Sequence, residues 1–225
     1  MSTAPMLSTA LLLLAFLHFL TPWLIRWVLR SNLVSIGHSR PGIVNMLYPS
    51  ITIGLGVSAG AIITASSSII LPISRPPSAQ VLVGVLVGVL LPLGATLFSG
   101  RSARFRRNGR AIRTAIITGF SGVAEELLWR VAAVTALHAL GIPWIAALIL
   151  AGGGFLLLHI PLYGPKRLPY LAAFTVLVTL LLALLGPIAC MSSHLAHNAY
   201  LALTGGQRKK TATPPPTPPV SSSSW

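Results

Sequence analysis

Glu125 and Glu126 are the only acidic residues in a chain of 225. They are adjacent, in AEELLWRV, and Arg130 follows four positions after the second. Downstream, GFLLLHIP sets Phe155 and His159 one helical turn apart. SSHLAHNAY does the same for His194 and Asn198, with His197 beside the amide. A carboxylate and an imidazole together orient a water and remove its proton. A second imidazole and an amide donate hydrogen bonds to a developing oxyanion. These residue types make up a hydrolytic set that needs no Ser or Cys nucleophile.

Helical geometry separates the two glutamates. Consecutive residues differ by about 100° around an α-helix, while positions four apart nearly align. Glu126 therefore reaches Arg130, in the favourable order of acid before base. Glu125 shares a face with Trp129 and has no basic neighbour on its own helix, so it needs a partner on another helix, or water. His197 is rotated by roughly 60° from His194. It reads as a hydrogen-bonded packing residue, as do His18, His38 and His138. Cys190, the single cysteine, reads as apolar packing and excludes an intrachain disulfide.

The elements that must position these groups are membrane helices. Hydrophobic residues make up 54% of the chain and charged residues 8%, against roughly 25% charged in a soluble domain, and the mean hydropathy is +0.81. The net charge of +14 does not indicate nucleic acid, because the basic residues lie between apolar runs with no aromatic–basic RNA motif among them. Seven spans are expected, at about 7–28, 45–73, 80–99, 112–138, 142–162, 169–187 and 189–205. Backbone groups must pair internally in lipid, so the expected fold is all-α, a polytopic helix bundle with a polar intramembrane cavity. Pro49 offers a place where the second span can break. No Lys or Arg precedes Arg26, so the first span reads as retained rather than as a cleaved signal.

Every Lys and Arg except Arg75 and Arg130 falls on one side of this arrangement. That side is then cytoplasmic, with the carboxyl terminus on it and the amino terminus outside, in a multi-pass protein of the cell membrane. Three segments follow: N-terminal helices with a basic loop over 1–110, a helical core carrying the polar groups over 111–205, and a basic then Pro/Ser-rich tail over 206–225, expected to be disordered. Gly56 with Gly60, and Gly84 with Gly88, have the small-xxx-small spacing of closely approaching helices. Three ionisable groups on one span would cost about 8–10 kcal/mol by simple addition, so pairing, neutralisation or a wet cavity must reduce the penalty.

EELLWR fits Glu-Glu-x-x-x-Arg, FLLLH fits Phe-x-x-x-His and HLAHN fits His-x-x-x-Asn. In this order, with 34 residues from Glu125 to His159 and 35 more to His194, they resemble the motifs of the CAAX-protease and bacteriocin-processing (Abi) family of intramembrane glutamic endopeptidases. The resemblance covers residues 121 to about 205. It implies that Glu125 acts as general base on the catalytic water with His159, and that His194 and Asn198 stabilise the oxyanion. Glu126 and Arg130 then hold the helix or assist at the site. The implied substrate is a peptide or a membrane-anchored protein, prenylated CAAX proteins being one class, and no cofactor is called for. Val131 stands where the family often has glycine after the motif arginine, which bears on packing more than on chemistry.

Two other readings remain at this stage. Glu125, His159 and His194 form a set that zinc accepts, although no His-Glu-x-x-His motif is present. A non-enzymatic immunity or transport protein would use Glu125 as a proton relay or binding group, but no repeated broken-helix pattern marks a carrier. A geometric conflict also stands. In straight spans His159 lies near the cytoplasmic end and His194 near the opposite one, roughly 24 Å apart in depth.

Overall fold

The computed structural model describes residues 4–30, 41–66, 75–100 and 105–204. The remainder of the expected second span, His38 and Arg40, Arg101 and Arg104, the Arg208–Lys210 group and the Pro/Ser tail lie outside the described residues.

All described elements are helical. The first three are α1 (Ala4–Arg30), α2 (Pro41–Ala65) and α3 (Pro77–Phe98). A fourth rod runs without interruption from α4 (Gly109–Glu126) through a π-helical segment (Leu127–Ala133) into α5 (Val134–Ala139). Then come α6 (Trp144–Leu158), the single turn α7 (Ile160–Tyr163), a 3-10 turn (Pro165–Arg167), α8 (Leu168–Leu184) and α9 (Pro187–Thr204). These rods fall on the seven expected spans. Five of them, beginning at Pro5, Met46, Pro77, Trp144 and Pro165, are long and apolar enough to cross a membrane. The α4 rod and α9 fall outside that group, and they are the two that carry the glutamates and the His-x-x-x-Asn motif.

Local chemistry sets the boundaries. Asn108 caps α4, its Oδ1 accepting from the Ala111 N–H at 2.8 Å. Pro77 opens α3, where a missing N–H costs nothing. Reversals occur at Gly164 (φ 74°) and Gly186 (φ 119°), in backbone conformations that side chains disfavour. Pro49 does not break α2, which runs through it, just as α1 runs through Pro22 and α3 through Pro92. In apolar surroundings the freed carbonyl is re-satisfied locally and neighbouring helices hold the rod together.

Two buried clusters hold the bundle. One joins Leu11 and Ala15 of α1, Ala59 of α2, Leu128 and Trp129 of the π segment, and Phe155 and Leu158 of α6. The other joins Phe174, Val178 and Leu182 of α8 to Ala189 and Cys190 of α9. Small residues set the tightest approaches, as their spacing suggested. A Cβ on Gly84 would fall on the Ala189 carbonyl oxygen, and one on Gly88 on that of Ser193. A Cβ on Gly56 would meet Ala124. Gly88→Val is accordingly expected to cost about 1–3 kcal/mol by overpacking, seen as a lower unfolding temperature in detergent. An unchanged midpoint would mean that α3 and α9 do not meet this closely.

Most of the described basic residues gather at one end. Arg26 donates from Nη1 to the Pro161 carbonyl at 2.8 Å, which brings the end of α1 against α7. The Arg106 N–H donates to the Leu203 carbonyl at 2.7 Å, which brings the approach to α4 against the end of α9. Lys166 and Arg167 lie at the same end, and Trp23 and Trp27 near it are exposed, as aromatic side chains at a membrane interface are. Arg75 lies at the other end, beside Gln80, whose Nε2 donates to its carbonyl.

Candidate active site

Glu125 and Glu126 close α4, and the chain widens at once into the π segment. Such turns are rare and recur at functional sites. The wider turn still lets Arg130 fold back on Glu126: Nη1 donates to Oε1 at 3.4 Å, and Nε lies 3.4 Å from Oε2 as an ion pair without hydrogen-bond alignment. Both side chains are essentially inaccessible, at 0% for Glu126 and 1% for Arg130. The guanidinium also sits 4.0 Å above the Phe155 ring centroid, so the apolar member of Phe-x-x-x-His covers its charge.

Glu126 has a second partner that the sequence did not disclose. Its Oε1 lies 2.6 Å from Nδ1 of His194, which fixes that ring and turns Nε2 towards Glu125. Glu125 finds its partners on three other helices. Its Oε2 is 3.6 Å from His194 Nε2 and 3.8 Å from His159 Nε2, while its Oε1 accepts from the Tyr48 hydroxyl at 3.1 Å.

His159 is held by its own helix. Nδ1 donates to the Phe155 carbonyl at 2.8 Å, leaving the Nε2 lone pair facing the carboxylate. Its ring lies between those of Phe155, with centroids 4.5 Å apart, and Tyr163, stacked at 5.6 Å. Two acceptors 3.8 Å apart leave space for a water that donates one hydrogen to each, since both O···O and O···N contacts of about 2.8 Å then fit.

The expected depth conflict between the histidines is resolved. After His159 the chain continues through α7 and turns only at Gly164, and His194 lies two turns into α9. On straight axes these two features leave an offset of about 12 Å instead of 24. Inclination of the helices takes up the rest, because both imidazoles reach the same carboxylate oxygen.

Asn198 lines the same cavity, but its amide is engaged. Nδ2 donates to the Thr118 carbonyl at 2.9 Å, so one N–H remains for a substrate. His197 is hydrogen-bonded and packed: its Nδ1 donates to Asn198 Oδ1 at 3.2 Å, and its Nε2 accepts from the Tyr170 hydroxyl at 2.7 Å. It also stacks on Phe174 at 4.3 Å. Gly122 makes room for the pair, since a Cβ there would come 2.8 Å from His194 and 2.9 Å from the Asn198 amide nitrogen.

The cavity has a volume of about 100 Å³ and is bounded by Glu125, His159, His194 and Asn198, with Phe155, Phe174 and Tyr170 as walls. It is large enough for several waters. Tyr163, Arg167 and Leu201, all exposed, form its rim at the basic end of the bundle. Among the described residues no three His, Cys, Asp or Glu side chains are disposed to share a metal ion.

His18, read from sequence as packing, is fully buried and bridges Trp129 and Thr52 by hydrogen bonds. Neither it nor Tyr48 carries a sequence signal that ties it to Glu125, because both lie in apolar helices outside the three motifs.

Residues 108–200 match the model of the family described as Rce1-like, type II CAAX prenyl endopeptidase. No curated protein and no solved structure gives a match. The matched stretch begins at the Asn108 cap and ends at Tyr200 in α9, so it takes in every polar group around Glu125 except Tyr48. Over these residues the chain is similar to that family, which is one of proteases, and the match agrees with the resemblance of its motifs to the CAAX-protease and bacteriocin-processing family.

Proposed function

We propose that this protein is an intramembrane endopeptidase in which Glu125 and His159 activate a water that attacks a peptide bond directly. The observation that carries this is the convergence of two imidazole Nε2 atoms on one carboxylate oxygen, at 3.6 and 3.8 Å, inside a polar cavity of an apolar bundle.

The water donates hydrogen bonds to Glu125 Oε2 and His159 Nε2. Its oxygen bonds to the scissile carbonyl carbon as its proton passes to Glu125. The carbonyl electron pair moves to oxygen, where the free N–H of Asn198 and the Nε2–H of His194 stabilise it. Collapse of the tetrahedral intermediate re-forms the carbonyl and breaks the C–N bond, as Glu125 returns the proton to the leaving amine. The Glu126 carboxylate on Nδ1 holds the His194 ring so that Nε2 faces the site. The contact of Glu126 with Arg130 lowers the cost of burying both groups in a bilayer.

The substrate is a peptide or a membrane-anchored protein segment that enters past Tyr163 and Arg167. Prenylated CAAX proteins are the class that the family description names. The concentration of basic residues at that end favours a cytoplasmic mouth and carboxyl terminus in the cell membrane.

The test is cleavage of a peptide library by purified protein, with and without a chelator, beside Glu125→Gln. Cleavage that survives the chelator and is lost in the variant supports the reading. Loss in chelator, with metal recovered from the purified protein, makes the enzyme a metalloprotease. No cleavage, with proton flux in liposomes, makes it a transporter.

His159→Ala removes a partner of the base, and His194→Ala removes an oxyanion donor; each is expected to lower kcat on the order of 100- to 1000-fold. His197→Ala should be milder, because Asn198 keeps its bond to Thr118. A dead His197 variant beside an active His194 variant would shift the oxyanion site to the other face of α9.

A further inference from the structure

The three motifs account for Glu125 Oε2 but not for Oε1. That oxygen accepts from the hydroxyl of Tyr48 on α2 at 3.1 Å, 77 positions away in the chain and outside the family match. Tyr48 does not line the cavity, so it approaches the carboxylate from behind. A carboxylate has a free torsion about its last bond, and rotation would take Oε2 away from both imidazoles. A donor on Oε1 opposes that rotation.

Tyr48 is itself held, by a run of hydrogen bonds whose directions are all fixed. The Trp129 indole N–H can only donate, and it does so to His18 Nδ1 at 2.9 Å. In the neutral ring His18 must then carry its hydrogen on Nε2, which lies 3.0 Å from Thr52 Oγ1. Thr52 donates in turn to the Tyr48 carbonyl at 2.8 Å. The His18 ring also packs against that of Tyr48, with centroids 5.6 Å apart. The run begins at Trp129, one helical turn from Glu125, crosses α1 and α2, and comes back to Glu125 through the Tyr48 hydroxyl. His18 and Thr52 are fully buried, where each unmade bond carries a desolvation penalty.

We propose that Tyr48 is a positioning residue for the general base, and that the Trp129–His18–Thr52 run is the device that holds it there. On this reading α1 and α2, which lie outside the matched family segment, contribute to catalysis by orienting Glu125 without touching substrate. The proposal rests on Glu125 being the base.

The test compares Tyr48→Phe and Thr52→Val with wild type and with Glu125→Gln, measuring kcat and KM on the same peptide. Tyr48→Phe keeps the ring and loses only the hydroxyl. Its kcat is expected to fall about 10- to 100-fold, the range corresponding to one hydrogen bond to a charged group. KM should stay within about two-fold of wild type, because no cavity wall is altered. Thr52→Val, nearly isosteric, should reduce kcat by a smaller factor in the same way. It also serves as the working variant if Tyr48→Phe fails to fold. Unchanged kcat in both variants, beside a dead Glu125→Gln, overturns this proposal and leaves the base assignment standing. A raised KM at unchanged kcat also overturns it, making Tyr48 a substrate contact. An active Glu125→Gln removes the base assignment and this proposal together.

Discussion

Glu125→Gln is expected to leave a folded protein with no measurable proteolysis, a loss of at least about 100- to 10,000-fold. The amide retains the size of the carboxylate and can still accept from Tyr48 through its carbonyl oxygen. It cannot take a proton from water. The group facing the imidazoles would be either an oxygen of negligible basicity or an N–H₂ that competes with the water for the His159 lone pair. Stability should change little, because Glu125 contacts two imidazoles and the Tyr48 hydroxyl rather than Arg130, and the amide keeps the size of the side chain. Turnover near wild type in a well-folded Gln variant would rule out the glutamic mechanism. The measurement is single-turnover cleavage of a peptide identified from the library, beside a thermal scan in detergent.

Glu126→Gln should differ in kind, damaging stability and rate together. Removing the negative charge leaves Arg130 buried at 1% exposure with only the Phe155 ring and a neutral amide beside it. Breaking a buried pair on one side costs about 3–5 kcal/mol, a fall in unfolding temperature that is easily resolved. The 2.6 Å contact to His194 Nδ1 loses its charge at the same time. The His194 ring is then held less firmly in the orientation that serves the oxyanion, so kcat should drop on the order of 100-fold or more. A variant that is destabilised but fully active would limit Glu126 to its pairing with Arg130. If Glu126→Gln were stable but dead and Glu125→Gln active, the base would be Glu126.

Much of the architecture is legible in the sequence because the bilayer imposes one dominant rule. Runs of about 20 apolar residues must be helices, and the rods begin and end close to where those runs do. The spacing of Glu126 and Arg130 on one helix predicts their contact, since an i, i+4 relation is local geometry. The glycine spacings likewise point to close helix approaches, realised at Gly56, Gly84 and Gly88. The scarcity of carboxylates directs attention to residues 125 and 126 without any knowledge of the fold.

The pairings between helices were not legible. The contacts of Glu126 with His194, Tyr48 with Glu125 and His18 with Trp129 join positions 68, 77 and 111 residues apart. Each depends on the rotation and tilt of two rods. In a soluble bundle an apolar stripe would announce which face turns inward. Here lipid-facing and buried faces are both apolar: Leu150 and Leu157 of α6 are exposed while Ala151 and Leu158 beside them are buried. Periodicity therefore carries little information about rotation, and none about inclination. His18 and His197 read as hydrogen-bonded packing residues, but their partners, like that of the Asn198 amide on Thr118, lie on other helices. The sequence by itself determined an all-helical membrane protein and pointed to Glu125, His159, His194 and their neighbours as its candidate site. The tertiary structure alone decided that the two histidines share one depth, that Glu126 serves His194 as well as Arg130, and that α2 reaches the carboxylate through Tyr48. Those outcomes follow from tilts and close approaches set by small residues and glycine reversals, and helix packing in lipid leaves them unmarked in an apolar sequence.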